Sequence, residues 1–327
     1  LLGIGSFPEN HVLSFGMLGM HGMAYANMAV QNADLIIAIG MRFDDRATGD
    51  TNTFAPQARI LHIDIDPAEI GKNLRVDIPI VGDIKNVLTT LNKGIDIKEH
   101  VAWVSQINQW KHEYPLVDDR EDAGLLPQYV ISHIYELTEG KAIMVTGVGQ
   151  NQMWAAQHFQ YVKPNSFISS GGLGTMGFEL PAAMGVKVAA PDSVVWSIAG
   201  DGGFQMTIQE LATISQENIA IKIAIINNSA LGMVRQWQEL FYSRRYVDTL
   251  LWNPDFAKVS EAYGIPALKV TRKAEVVPAI HSALDHSGPF LIDFNVEREE
   301  NVYPMIVPGA GLSSILTLPK VGKDSSF

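Results

Sequence analysis

The chain has 327 residues, of which 47% are hydrophobic and 18% charged, proportions that exclude a disordered or fibrous protein and suit two globular domains. A formal net charge of −11 argues against a nucleic-acid partner, and zero cysteines exclude disulfides, zinc–thiolate sites and thiol nucleophiles. No run approaches the roughly 18 apolar residues of a membrane helix, so a soluble, cytoplasmic protein with no membrane partner is expected. In chain order, the opening Leu1-Leu2-Gly3-Ile4-Gly5 has neither an initiator Met nor a charged leader and reads as the interior of a longer polypeptide. Strands are expected at 33–40, 59–66 and 78–81, each bounded by Gly, Asp or Pro, with a helix at 84–91. From about 94 to 126 charges rise, Trp103 and Trp110 appear, and the acidic run Asp118-Asp119-Arg120-Glu121-Asp122 follows Pro115, which suggests one helix and a linker. The alternation then restarts. Strands are expected at 142–146, 194–199, 221–226 and 290–296, with helices near 177–189, 207–217, 230–241, 254–263 and 274–285. Strands separated by such helices imply βαβ units, hence an α/β chain of two doubly wound parallel-sheet domains. The boundaries expected are a first domain over 1–94, a linker with a helix over 95–126, and a second domain over 127–327.

The most informative stretch is the apolar run Val194–Ala199 leading into Gly200-Asp201-Gly202-Gly203. The next strand ends in Asn227-Asn228. A right-handed crossover brings the carboxyl ends of both strands to one sheet edge, where open α/β sheets bind ligands. A carboxylate, an amide oxygen and a backbone carbonyl are hard ligands suited to Mg²⁺, and glycine N–H groups can close on a phosphate. Alone, Asp-Gly is foremost a turn signal. At the ends of two successive strands, the pair of motifs resembles the diphosphate motif of the thiamin diphosphate enzymes.

Other segments narrow the likeness. Gly149-Gln150-Asn151-Gln152-Met153-Trp154, Gly171-Gly172-Leu173-Gly174-Thr175-Met176-Gly177-Phe178 and Leu231-Gly232-Met233-Val234-Arg235-Gln236-Trp237 resemble the acetohydroxyacid (acetolactate) synthase family. So do Met17-Leu18-Gly19-Met20-His21-Gly22 and Arg42-Phe43-Asp44-Asp45-Arg46-Ala47-Thr48-Gly49. The likeness covers about residues 1–310 and implies most of a central flavin-binding domain plus a C-terminal diphosphate-binding domain. It also implies that the N-terminal domain, with the glutamate that works on the cofactor's aminopyrimidine, is absent, so that the chain alone is an incomplete catalyst.

By resemblance, Asp201, Asn228 and the backbone carbonyl of Ala230 bind Mg²⁺, and Gly202 and Gly203 lie against the diphosphate. Met176 is the apolar wedge that bends the cofactor, Gly174 accepts from its amino group, and Gly149, Gln150, Asn151, Met206 and Met233 complete the thiamin diphosphate site. The same glycine-rich segment also suits a tight helix-start loop with Met176 in the core. Asn151 departs from the His usual in the family; it can donate to a phosphate oxygen but cannot titrate near neutral pH. Met233, Val234 and Trp237 share a helix face, a pattern that ordinary packing also produces. By resemblance Trp237 lines the pocket for the second substrate and, with Met176 and Gln150, stands closest to the chemistry.

In the first half the resemblance assigns Met20, His21, Arg42, Asp45, Arg46, Asp64, Ile65, Gly82 and Asp83 to FAD. Read alone, Arg42–Arg46 is a solvated charge cluster. The activity implied is decarboxylation of pyruvate and condensation with pyruvate or 2-ketobutyrate on the route to valine, leucine and isoleucine, with a structural FAD, a homodimer or homotetramer, and a small regulatory subunit. A catabolic acetolactate synthase, a pyruvate oxidase and a non-catalytic cofactor-binding module are the rival readings. The Arg42–Arg46 segment and Trp237 argue against the first two.

Overall fold

The computed structural model describes residues 1–318 apart from Asp118 and Asp122, so those two members of the acidic run lie outside the described residues, as do 319–327 of the expected second domain. The contacts divide the chain into two compact units, one of Leu1–Ser14 with Leu116–Val302 and one of Phe15–Pro115 with the described residues from Tyr303. The expected boundaries at 94 and 126 are not where the contacts part, and there are physical reasons. The first residues join the larger unit because Glu9 and Tyr161 exchange hydrogen bonds, Glu9 N–H to Tyr161 O at 3.0 Å and Tyr161 N–H to the Glu9 carboxylate at 2.8 Å. The helix expected in the linker packs within the smaller unit instead.

In the smaller unit, α1 (Ala24–Gln31) precedes β1 (Leu35–Ile39), a short α2 (Asp45–Thr48), β2 (Arg59–Asp64), β3 (Ile78–Val81), α3 (Ile84–Leu91) and α4 (Val101–Glu113). The strands form a three-stranded parallel sheet in the order β1-β2-β3. Asp44 and Asp83 accept backbone N–H bonds at the starts of α2 and α3, so the charges that end the strands also begin the helices. On α4, Trp103 and Trp110 meet edge to face at 5.8 Å, and Lys111 lies over the ring of Tyr25 on α1. The two-stranded hairpin Met305–Ile306 (β10) and Ile315–Leu316 (β11) completes this unit, with Ile306 N–H donating to Met20 O.

The larger unit runs α5 (Pro127–Leu137), β4 (Ile143–Thr146), α6 (Gln150–His158), β5 (Phe167–Ser169), α7 (Glu179–Ala189), β6 (Val195–Gly200), α8 (Asp201–Met206), a 3₁₀ turn at Ile208–Glu210, α9 (Leu211–Gln216), β7 (Lys222–Asn227), α10 (Gly232–Phe241), α11 (Phe256–Ala262), β8 (Ala267–Val270), α12 (Lys273–Asp285) and β9 (Phe290–Asn295). Its six strands are parallel in the order β5-β4-β6-β7-β9-β8. The centre of the sheet is buried on both faces, which is why β6 and β7 read as continuous apolar runs rather than alternating ones. One face carries a core of Leu180, Phe204, Leu211, Ile214, Ile223 and Phe256, while α5, α6 and α12 pack together and on the sheet from elsewhere in the winding.

Winding from β4 to β5 and then back past β4 to β6 opens a switch point between the ends of β4 and β6, the place where such sheets bind ligands. Three differences from the expected elements matter. The short strands β5 and β8 were not legible. The helix expected at 207–217 is α9 after a 3₁₀ turn. The turn after β6 is itself the start of a helix, with Gly200 as N-cap and Asp201 as its first residue. Among the described residues no helix is long and apolar enough to cross a membrane.

Candidate diphosphate and metal site

At the carboxyl ends of β6 and β7, Gly200 pairs in register with Ile226, so Asp201 and Asn227-Asn228 leave adjacent strands side by side. Asn253 ties them together: its Nδ2 donates to Asp201 Oδ2 at 2.6 Å and to Asn227 Oδ1 at 2.9 Å, while its own carbonyl accepts from Gln205. The Asp201 carboxylate also faces the backbone N–H groups of Gly202 and Ala230. Burial nevertheless wins, and pushes its carboxyl up to about 6. Such an acid is under-compensated until a cation arrives. The turn between Asn228 and Ala230 carries Ser229 at φ 53, a left-handed conformation uncommon for serine. It is held by pairing with the segment before Asn253, through Leu231 N–H to Thr249 O and Leu251 N–H to Ser229 O.

Behind this edge lies a chain of buried amides. Asn228 Nδ2 donates to Gln150 Oε1 at 3.0 Å, and Gln150 Nε2 donates to Gln236 Oε1 at 2.9 Å and to Glu300 O at 3.1 Å. Gln236 in turn bonds both backbone groups of Val302. Beside it the wholly buried Arg235 donates to Glu239, Glu300 O and Asn301. This lattice fixes the Asn228 amide, whose Oδ1 accepts from Ala230 N–H at 3.1 Å. A Cβ at Gly232 would collide with the Gln150 and Asn228 side-chain amides and displace this lattice.

A cavity beside these groups is lined by the expected Gly149, Gln150, Asn151, Met176, Asp201, Gly202, Gly203, Asn228, Ala230 and Met233, and also by Val148, Trp154, Gly200, Ile226, Leu231, Gly232 and Val234, which were not expected. Gly174, Met206 and Trp237 do not line it. Met206 is more than half exposed, and Trp237 packs edge to face on Phe241 at 5.6 Å. Asn151 spends one N–H on Ile198 O at 2.8 Å. Its contact with the sheet is therefore structural as well. The site fits a magnesium diphosphate on its own chemistry. The oxygens of Asp201, Asn228 and Ala230 make a hard donor set, Gly202 and Gly203 at the start of α8 carry no Cβ, and no cluster of three His, Cys, Asp or Glu competes among the described residues.

Sequence reading missed Asn253, Gln236 and Glu179. Asn253-Pro254 carries only a turn signal, and nothing local links any of the three to positions 201 or 228.

In the smaller unit, Gly40, Asp64-Ile65 and Gly82-Asp83 all follow strand ends on one edge, with Gly40 N–H bonded to Ile63 O and Gly82 N–H to Asp64 O, each at 2.9 Å. Arg42 pairs with Asp44 at 3.2 Å and Arg46 with Asp45 at 2.9 Å, both in solvent. A separate cavity of about 320 Å³ is lined by Met20, Asp45 and Arg46 together with Asp50, Thr51 and the Ile306–Leu312 segment. His21 is held neutral, its imidazole pushed down to about 4 by burial first and by the Arg46 charge second. Of the expected flavin residues, Asp64, Ile65, Gly82 and Asp83 lie along a strand-end edge and Met20, Asp45 and Arg46 on a cavity wall, whereas His21 and Arg42 fall in neither group. Both suit a dinucleotide: the edge offers the Asp64 carboxylate, the wall an arginine and apolar surface.

The family profile described as the C-terminal TPP binding domain of thiamine pyrophosphate enzymes matches residues 147–294, and the profile of their central domain matches residues 1–91. The chain belongs to the thiamine pyrophosphate enzyme family, as the strand-end carboxylate and amide of its parallel sheet anticipate. Within that family it is 49% identical to the acetolactate synthase large subunit of Corynebacterium glutamicum, over 96% of this chain and 52% of that one. It is 48% identical to the acetolactate synthase large subunit of Mycobacterium tuberculosis, over 96% of this chain and 53% of that one. It is 46% identical to the chloroplastic acetolactate synthase of Arabidopsis thaliana, over 97% of this chain and 49% of that one. The chain spans about half the length of these curated relatives.

Proposed function

We propose that this chain is the cofactor-binding portion of an acetolactate synthase catalytic subunit, which decarboxylates pyruvate and joins the two-carbon unit to pyruvate or 2-ketobutyrate in branched-chain amino-acid biosynthesis. The observation that carries this is the tie between Asp201 and the Asn227–Ala230 turn through Asn253, above the helix-starting amides of Gly202 and Gly203. In this reading Asp201, Asn228 and the carbonyl of Ala230 hold Mg²⁺, and Gly202 and Gly203 receive the diphosphate. Gln150 orients Asn228, and Met176 and Met233 give the apolar wall along which the rest of thiamin diphosphate lies. When bound, that cofactor supplies a thiazolium able to take up the electron pair released as a 2-keto acid loses CO₂. Gly174 and Trp237, outside the cavity wall, keep the contacts the family assigns them, to the cofactor's amino group and to the second substrate.

FAD belongs to the same proposal as a bound, non-redox group, since the net reaction transfers no electrons. Its candidate contacts are Met20, His21, Arg42, Asp45, Arg46, Asp64, Ile65, Gly82 and Asp83. The Corynebacterium glutamicum relative is named a large subunit. A homodimer or homotetramer with a smaller regulatory subunit, and a cytoplasmic location, are proposed here on the family reading, although plant relatives are named chloroplastic.

The test is acetolactate formation from pyruvate with Mg²⁺ and thiamin diphosphate, using the polypeptide carrying this chain at the full length of its relatives, with and without FAD. Product that depends on FAD, without peroxide, is expected. Product without FAD, or peroxide, overturns the biosynthetic assignment, and no product in either condition overturns the synthase assignment altogether.

A further inference from the structure

Glu179, the first residue of α7, is wholly buried, and neither carboxyl oxygen completes a hydrogen bond of good geometry. The donors that face it are the backbone N–H groups of Gly177 and of Glu179 itself. A buried carboxyl without partners is rare and costly, so its surroundings need an account. Two glycines bracket it: a Cβ at Gly147 would stand 2.6 Å from Oε2, and one at Gly203 would stand 3.0 Å from Oε1. Gly147 follows β4, and Gly203 lies in the first turn of α8. The carboxyl therefore sits directly behind the turn that, in the reading above, receives the diphosphate.

Among the described residues no cation is paired with it. The elements packed most closely on α7 are β4, β6 and the turn Ile208–Glu210. Neither strand has a titratable side chain, the turn contributes Glu210, and α8 contributes Asp201, both of them acids. Lys187, near the other end of α7, is engaged with the carbonyls of Pro191 and Ser193. Desolvation is the leading influence on Glu179, opposed only by the two backbone donors, and its carboxyl is pushed up to about 7.

We propose that Glu179 is a positioning residue of the cofactor site: as a neutral acid it fills the space behind Gly203 and leaves the turn's N–H groups to the diphosphate, and as a carboxylate it sets behind them a negative charge that opposes the ligand. This rests on the diphosphate reading of the Asp201 site. Two like charges separated by protein rather than water repel strongly. By reciprocity, a bound diphosphate holds the proton on Glu179 to higher pH, and removal of that proton loosens the diphosphate.

The test is calorimetric titration of the polypeptide carrying this chain at the full length of its relatives with thiamin diphosphate and Mg²⁺ from about pH 6 to about pH 9, for wild type, Glu179→Gln and Glu179→Met. The ratio of wild-type to variant Kd cancels the titration of the ligand itself and of Asp201. That ratio is expected to be nearly constant below pH 7 and to rise on the order of tenfold by about pH 9, alike for both neutral variants. The Met variant preserves the test if Gln misfolds. A ratio that stays flat with pH overturns the proposal, because a purely structural role would weaken binding by the same factor throughout. If Mg²⁺ and thiamin diphosphate bind none of the three proteins, the diphosphate reading fails, and the role of Glu179 with it.

Discussion

The two parallel sheets are made of similar strands and finish differently. In the six-stranded sheet, every residue of β7 and all but the last of β6 are buried. In the three-stranded sheet, Leu35, Ile37 and Ile39 along one face of β1 are 43–48% exposed. The contrast extends to the sites. Asp201 and Asn228 are buried and tied by amides whose own hydrogen bonds are fixed, whereas Arg42, Asp45 and Arg46 pair with neighbouring charges in solvent. A site of the first kind is arranged before its ligand arrives; one of the second kind is arranged by it.

The largest expected effect lies in the lattice behind the proposed metal edge. Arg235→Ala removes the donor to Asn301 Oδ1 and one of the donors to Glu239, together with the buried cation among them, and should lower stability by about 3–5 kcal/mol, read from urea unfolding. A loss under about 1 kcal/mol would mean that the lattice follows the fold rather than supporting it. Next, Asp201→Ala should weaken Mg²⁺-dependent binding of thiamin diphosphate on the order of 100-fold, about 2.7 kcal/mol, in calorimetry.

Glu179 gives a pH signature of similar size. Its folded carboxyl, at about 7, lies above the ordinary 4.5, so the stability it contributes is complete below about 4.5 and lost as pH rises through 7. Glu179→Gln should therefore gain on the order of 1–3 kcal/mol on wild type between about pH 5 and pH 8.5, read as a diverging urea midpoint. Smallest is Arg46→Ala, whose pair with Asp45 is exposed. Stability should change by less than about 1 kcal/mol, while FAD binding, followed by flavin fluorescence, weakens. A large stability loss there would erase the contrast between the two sites.

Strands at the sheet centre were legible because burial on both faces leaves an unbroken apolar run, as in Ile223–Ile226. The two motifs at 200–203 and 227–228 were legible for the same reason: each sits where such a run stops. β5, with three residues, and β8, with Leu268 exposed at the sheet edge, lack that pattern. The start of α8 carries only a turn signal in the sequence and that of α6 no helix signal, since each has glycine rather than a polar side chain at its N-cap.

The sequence by itself determined the α/β class, the central strands, and the pairing of a strand-end carboxylate with a strand-end amide, because these follow from local periodicity and from the handedness of βαβ units. Tertiary structure alone decided that Asn253 ties Asp201 to Asn227, that Gln150 and Gln236 fix Asn228, and that Glu179 is buried between Gly147 and Gly203. It also decided that residues 1–14 join the larger unit. Each of these depends on groups brought together across long stretches of chain, and the desolvation that gives Glu179 and Asp201 their unusual acidity exists only once the surrounding elements have closed over them.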